Sequence, residues 1–259
     1  MAYAKPSSFP LRGILFFLTH PSLWYRCICG LFIMLLISIA SLVGFSFAIS
    51  PTAHALVRAN CPEGLAWVVA VILMLIESAL AVIIMGLILM PFLQDALFDQ
   101  VLRLRGLEQA ILKPAEQHNM LFRAIGAGIL FGLFQVLVLL LTLPVHAIVI
   151  VGSILVVMIN GIILAWGYML HYLIELRGMS FGQSRHWVSL NRKSYMSFGT
   201  VAFLLELIPL FNIMFMFTNA VGAALWAEWE YHKEIKNRGQ PGYEYYAAMP
   251  LPLSLDGTQ

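Results

Sequence analysis

The chain has 259 residues and a net charge of +2, and 61% of its residues are hydrophobic while 11% are charged. Soluble domains carry about 25% charged residues, so this composition excludes an ordinary soluble protein, and the small net charge argues against a nucleic-acid-binding protein. Residues 27–57 and 124–174 contain no Asp, Glu, Lys or Arg. Because about 20 apolar residues cross the ~30 Å hydrocarbon core, we predict an all-α integral membrane protein.

The N-terminal segment 1–27 combines a mobile start with an interfacial helix. Arg12–Trp24 (RGILFFLTHPSLW) is aromatic and too short to span, so we expect it to lie at the membrane–water interface. Ile28–Ile49 is the first predicted spanning helix. A short polar loop is predicted over Ser50–Gly64.

Leu65–Met90 is the second predicted spanning helix, and Pro91 is expected to end it. The following residues, Gln94–Gln109, predict an amphipathic helix in which Asp99 pairs with Arg103 at i,i+4. Its expected apolar stripe consists of Leu93, Ala96, Leu97, Val101 and Leu104.

The long uncharged interval is interrupted around Pro144. Its halves, Ala124–Leu143 and Ala147–Tyr172, either cross the membrane separately or form a tight hairpin. Gly128 and Gly132 have the spacing of a close helix contact. Glu175–Ser194 is predicted to be a wet, basic loop.

The last apolar stretch, Gly199–Trp229, is expected to enter the membrane and return to the same side. Its ten residues before Pro209 cover only about 15 Å at helical rise, and proline disfavours helix there. Basic residues flank both ends of the stretch, and cytoplasmic loops are enriched in such residues. We therefore predict a re-entrant helical hairpin; a kinked single span is the alternative.

Placing the cation-rich segments on the cytosolic side puts both termini in the cytosol. The predicted architecture has two long transmembrane helices plus re-entrant or partly penetrating helical hairpins. Residues 28–232 form a single helical membrane domain, and 233–259 form a basic, then disordered, tail.

Six polar residues are predicted to lie deep in the membrane and to form a candidate intramembrane pocket near the Pro209 break. They are Glu77, Gln135, Asn160, Glu206, Asn212 and Asn219. Ionisable groups at such depth mark a functional-site hypothesis. Polar side chains also serve as hydrogen-bonding glue between helices, and both interpretations stay open at this point.

The sequence carries no motif for a catalytic residue or a bound cofactor, and none are predicted. His171 and Glu175 share a helix face at i,i+4, but two ligands do not make a zinc site, and neither HExxH nor CxxC occurs. No metal site is therefore predicted.

Three stretches carry a family resemblance: RGILFFLTHPSLW, PFLQDALFDQVLRLRG and FGTVAFLLELIPLFNIMFMFTNAVGAALWAEWE. They resemble the etoposide-induced, autophagy-linked membrane protein family, which includes the bacterial CysZ sulfate permeases. The third stretch is most similar to the fungal branch, which resembles yeast sporulation proteins of lipid droplets. The resemblance implies a compact helical fold with partly penetrating hairpins and, for the bacterial members, sulfate permeation.

Three functions follow as hypotheses. The first is a non-enzymatic protein of the endoplasmic reticulum and lipid droplets that organises the membrane surface. The second is a permease for a small, sulfate-like anion with its pocket at the Pro209 break, and the third is a lipid or terpenoid enzyme using a buried glutamate. The expected partner is the lipid bilayer, with a small anion and a second copy of the chain as further candidates and no nucleic acid.

Overall fold

The fold is that of a computed structural model of the chain. It describes residues 5–107 and 151–237 and, between them, residues 126, 128, 130–135, 137, 138, 140 and 141. These residues form helices and turns, with no strand among them, which confirms the predicted all-α class. The predicted tail beyond Asn237 and much of the predicted segment Ala124–Leu143 lie outside the described residues.

In chain order, the labelled helices are α1 (Phe9–Thr19), α2 (Pro21–Ser46), α3 (Ile49–Arg58), α4 (Glu63–Leu104), α5 (Val151–His171), α6 (Phe181–Leu190), α7 (Arg192–Glu206) and α8 (Asn212–Asn237). A 3-10 turn at Pro6–Ser8 precedes α1, and a π-helical turn at Tyr172–Leu176 follows α5. Within the described part of the chain, three segments are long and apolar enough to cross a membrane: Pro21–Arg58, Glu63–Leu104 and Leu155–Leu176.

The chain divides into two compact units, one of residues 22–93 and one of residues 1–21 with 94–259. In the first unit, α2 packs against the early part of α4 through small side chains. Ser41 Oγ donates to the Ser78 carbonyl at 3.3 Å, and Ala66 and Ala70 are buried on the same helix as Ser78. Two antiparallel helices joined by α3 therefore form this unit.

Two sequence predictions in this region are wrong. Ser50–Gly64 is not a simple loop, because α3 covers Ile49–Arg58. Pro51 lies in the first turn of α3, where its missing N–H would have no helical partner in any case. Pro91 does not end the second span, because α4 runs through it for 42 residues. Proline is tolerated inside membrane helices when neighbouring groups satisfy the freed backbone.

In the second unit, α8 forms the centre. Its residues from Phe217 to Glu228 are all buried, and α1, α5 and α7 pack against it. Trp226 is 1% exposed and stacks on Phe198, with ring centroids 5.1 Å apart. Tyr231, 9% exposed, also lies in this core.

Glycines set the closest helix crossings of this unit. A Cβ atom on Gly199 of α7 would overlap the carbonyl of Gly161 on α5, and one on Gly13 of α1 would overlap the Thr218 carbonyl of α8. Such contacts let two backbones approach closely. At Gly128 and Gly132, where the sequence favours a close contact, an added Cβ would meet no described atom within 4 Å.

The predicted loop Glu175–Ser194 is also wrong in its main feature. It contains α6 and the start of α7, and Ser180 begins α6 with a capping box formed with Gln183. Arg177 is 1% exposed rather than solvated. Gly178, with φ +68°, ends the preceding π-helical turn.

Candidate functional site

The hairpin formed by α7 and α8 has its break where the sequence predicts it. Helix α7 ends at Glu206, α8 begins at Asn212, and the five residues between them form a turn around Pro209. Leu210 adopts a φ of +69° and is 98% exposed. The other exposed apolar residues near this tip are Leu204, Leu207, Ile208, Phe211, Ile213 and Met214.

A polar cluster lies behind the tip and joins three helices. Glu206 Oε1 accepts hydrogen bonds from the Tyr168 hydroxyl at 2.6 Å and from Asn219 Nδ2 at 2.8 Å. Asn219 Nδ2 also donates to the Ala202 carbonyl at 3.1 Å. The carboxylate therefore links α5, α7 and α8, and Asn219 Oδ1 is left buried without a hydrogen bond.

Of the six predicted pocket residues, the structure brings Glu206 and Asn219 together in this cluster. Asn212 is exposed at the start of α8, seven residues and about 10 Å of helix before Asn219. Asn160 is half-buried on α5, and Gln135 is exposed. The pocket itself stays a prediction.

Glu77 lies in the other compact unit and is exposed on α4. The buried side of α4 in that unit carries Ala66, Ala70 and Ser78. Glu77 therefore lies outside the buried small-residue face of α4.

The sequence interpretation recognised only the His171–Glu175 pair of a second cluster of functional groups and missed its two aspartates. Asp95 and Asp99 lie one helical turn apart near the end of α4, His171 is the last residue of α5, and Glu175 lies in the π-helical turn that follows it. His171 Nε2 donates to Asp99 Oδ1 at 2.8 Å. His171 Nδ1 lies 3.2 Å from Glu175 Oε1 and 3.9 Å from Asp95 Oδ2. We call these four residues the acid–histidine cluster.

Two ion pairs tie α8 to other segments of its unit. Arg177 Nη1 donates to Glu234 Oε1 at 2.7 Å, and the Arg177 guanidinium also lies 4.4 Å above the Trp187 ring. Arg105 Nε donates to both carboxylate oxygens of Glu228, at 2.9 and 2.8 Å. These hydrogen bonds from Arg105 to Glu228 raise the Arg105 pKa.

Burial also raises the pKa of the Glu230 carboxyl, which lies near these ion pairs. Lys233, Trp226 and Arg177 partly offset this rise. Lys233 Nζ lies 3.7 Å from Glu230 Oε2. The end of α8 thus combines buried acids with cations from its own helix and from the segment after α5.

The two clusters differ in what they can bind. In the polar cluster behind the tip, Glu206 offers carboxylate oxygens, which accept hydrogen bonds and so suit a hydrogen-bond donor better than an anion. In the acid–histidine cluster, Asp95, His171 and Glu175 offer ligand atoms within 4.8 Å of one another, the arrangement of a cation site.

Two comparisons bear on identity. Residues 9–216 match the sequence profile of the family described as "Sulfate transporter CysZ/Etoposide-induced protein 2.4". A search of curated proteins found no match. The matched range covers most of the chain and includes the acid–histidine cluster together with Tyr168 and Glu206, while Asn219 lies just beyond it.

Proposed function

Because the chain belongs to the sulfate transporter CysZ/etoposide-induced protein 2.4 family, we propose that it is a non-enzymatic integral membrane protein that organises the bilayer by inserting the α7–α8 hairpin as a wedge. The proposed location is the endoplasmic reticulum, with lipid droplets as a second location. Both termini are cytosolic in this proposal, in keeping with the cation-rich segments on either side of the hairpin.

The observation that supports this proposal is the exposed apolar tip of the hairpin. Leu210, Phe211 and Leu207 are each more than half exposed, and Ile208 beside them is 42% exposed. Transfer of one large apolar side chain out of water is worth about 1.5–3 kcal/mol, so a tip with several such side chains favours insertion into hydrocarbon. Insertion from one face adds volume to one leaflet more than to the other, which is how interfacial helices respond to and create curvature.

A wedge acts on lipid only if it keeps its shape. Tyr168 and Asn219 hold the Glu206 carboxylate directly behind the turn, and the close Gly161–Gly199 contact fixes α7 on α5. In this proposal the polar cluster is a support for the hairpin, because its hydrogen bonds join helices rather than face a channel.

The test uses full-length protein reconstituted in phosphatidylcholine–phosphatidylserine vesicles. A fluorophore on Leu210→Cys, in a background with Cys27, Cys29 and Cys61 replaced by serine, is expected to be quenched by bromine on the lipid acyl chains and not by iodide in water. Vesicle tubulation seen by electron microscopy is expected to fall strongly in Leu210→Lys, since a charge in hydrocarbon costs about 2.5–3.5 kcal/mol. The matched control is Leu190→Lys, at an exposed leucine of α6. A tip that iodide quenches, or tubulation equal in the two variants, contradicts the proposal.

A second candidate is permeation of a small, sulfate-like anion, which the family description favours. The same vesicles test it by uptake of radiolabelled sulfate. Sulfate uptake above that of protein-free vesicles, together with a change in this uptake in folded Glu206→Gln protein, would favour the permease over the wedge. The carboxylate of Glu206, which only accepts hydrogen bonds when ionised, disfavours an anion beside it, so we expect no such uptake.

A further inference from the structure

We propose that Asp95, His171 and Glu175 bind a divalent transition-metal ion and that Asp99 orients the histidine. This site goes beyond the proposed membrane-organising function and is independent of the hairpin. It also departs from the sequence-based expectation, in which His171 and Glu175 alone do not make a metal site and none is predicted.

The three ligand atoms already lie near the geometry that a metal requires. Zinc binds histidine nitrogen and carboxylate oxygen at about 2.0–2.2 Å, so two of its ligand atoms are at most about 4.4 Å apart. The ligand atoms of the three residues lie within 4.8 Å of one another. Two of the separations, both from His171 Nδ1, are 3.2 and 3.9 Å. A small movement of the two carboxylates toward His171 is sufficient to bring all three ligand atoms to metal-binding distances.

The histidine presents the correct nitrogen. A carboxylate only accepts hydrogen bonds, so the 2.8 Å contact with Asp99 places the proton on Nε2. Metal-binding histidines regularly donate their second N–H to a carboxylate in this way. The lone pair of Nδ1 is then free for a metal.

The environment of Nδ1 suits a bound cation. The His171 side chain is 9% exposed, and Nδ1 is buried without a hydrogen bond. Two carboxylates nevertheless converge on it, although neither has hydrogen-bond geometry. A cation between the three groups would satisfy the nitrogen lone pair and both carboxylates at once.

The backbone supports this convergence. Directly after His171 the chain makes a π-helical turn over Tyr172–Leu176, with a backbone hydrogen bond from Arg177 N–H to the Tyr172 carbonyl at 2.9 Å. π-Helical segments are rare, usually consist of a single turn, and are frequently found at functional sites. Here the turn carries Glu175 toward His171 while the following Arg177 contacts Glu234 on α8.

The donor set and its place select the kind of ion. One imidazole with two carboxylates suits Zn²⁺, Fe²⁺ or Mn²⁺ better than the purely oxygen-bound Ca²⁺ or Mg²⁺. The side chains of Asp95 and Glu175 are 40% and 37% exposed, which gives ions access to the site from water.

The experiment uses the full chain in detergent, stripped with a chelator and then titrated with Zn²⁺ or Mn²⁺ against a competing indicator dye. We expect one ion per chain by elemental analysis and a rise in melting temperature on metal addition. Asp95→Asn, Glu175→Gln and His171→Ala are expected to lose this binding, and Asp99→Asn to weaken it about 10–100-fold as outer-shell substitutions do. The control is His186→Ala, at an exposed histidine of α6, which should bind like the wild type.

The competing explanation is a protonated histidine balanced by the surrounding carboxylates. In that case Asp95→Asn and Glu175→Gln lower the melting temperature equally with and without metal, and the wild type shows no metal-dependent rise. That result overturns the proposal, as does stoichiometric binding that survives the three ligand substitutions. Because these readouts need no lipid, failure here leaves the wedge proposal standing.

Discussion

The buried pair Arg177–Glu234 allows a quantitative test of what holds α8 in place. The Arg177 side chain is 1% exposed, the Glu234 side chain is 9% exposed, and the two are joined by a 2.7 Å hydrogen bond. Glu234→Gln removes the charge but keeps the shape of the side chain. Removal of one partner of a buried pair costs about 3–5 kcal/mol, because the remaining charge stays desolvated without compensation.

A second ion pair in the same helix serves as the control. Lys233 lies 3.7 Å from Glu230, and its side chain is 47% exposed. Glu230 is buried, but solvent screens the half-exposed lysine at this longer distance, so we expect Lys233→Gln to cost about 1 kcal/mol, well below the cost of Glu234→Gln. Both variants can be measured by equilibrium unfolding in mild detergent titrated with sodium dodecyl sulfate.

The double variant Arg177→Met, Glu234→Met separates desolvation from packing. Replacement of both buried charges by apolar side chains is often neutral or stabilising, so we expect it to recover most of the loss seen in Glu234→Gln. If Glu234→Gln costs no more than Lys233→Gln, the pair is solvated and the reasoning from burial is refuted. If the double variant is as unstable as the single one, the loss comes from packing rather than from charge.

Two further predictions concern the second unit. Gly199→Ala should destabilise this unit by about 1–3 kcal/mol in the same unfolding assay, because the added methyl overlaps the Gly161 backbone. The control, Gly182→Ala on α6, adds its methyl in open space and should stabilise the unit by up to about 1 kcal/mol. Equal effects of the two variants would exclude the close crossing of α5 and α7. Glu206→Ala should cost about 1–3 kcal/mol by leaving two buried donors unpaired, and Glu206→Gln, which still offers an acceptor oxygen, should cost less. A Glu206→Gln variant as unstable as Glu206→Ala would mean that the charge, and not the acceptor, is what the cluster requires.

The hairpin could be predicted because its signals are local. Pro209 acts on its own and the preceding residue, and cations at both ends of the stretch bias the segment to one side of the membrane. The structure ends α7 at Glu206 and begins α8 at Asn212, on either side of that proline. Long apolar helices were predictable for the same reason, since length and composition decide them.

The errors occur where partners distant in the sequence decide the outcome. Arg177 reads as a loop cation, but Glu234, which pairs with it, lies on another helix. Likewise, Asp99 was expected to pair with Arg103 one turn away, and the structure gives it His171 on α5. Charge at a membrane edge predicts solvation only when no such tertiary partner is present.

Predictions based on proline and glycine were only partly correct, because these residues also depend on what packs against them. Pro91 is a local signal for a helix end, yet α4 continues through it. Glycine spacing within one segment favoured Gly128 and Gly132, but close crossings need a small residue on each of two helices. Those pairs, Gly161 with Gly199 and Gly13 with the Gly222 region, are visible only once the helices are placed.

The contact between α1 and α8 has a consequence for biosynthesis. Phe9–Thr19 leaves the ribosome before Gly222, the glycine of α8 that it packs against, which follows about 200 residues later. At about 5–20 residues per second, translation of that interval takes roughly 10–40 s. During this time the apolar side of α1 has no partner helix and is held only by the bilayer surface. Slowed elongation or a truncated message prolongs this state, in which α1 is accessible to quality-control proteases.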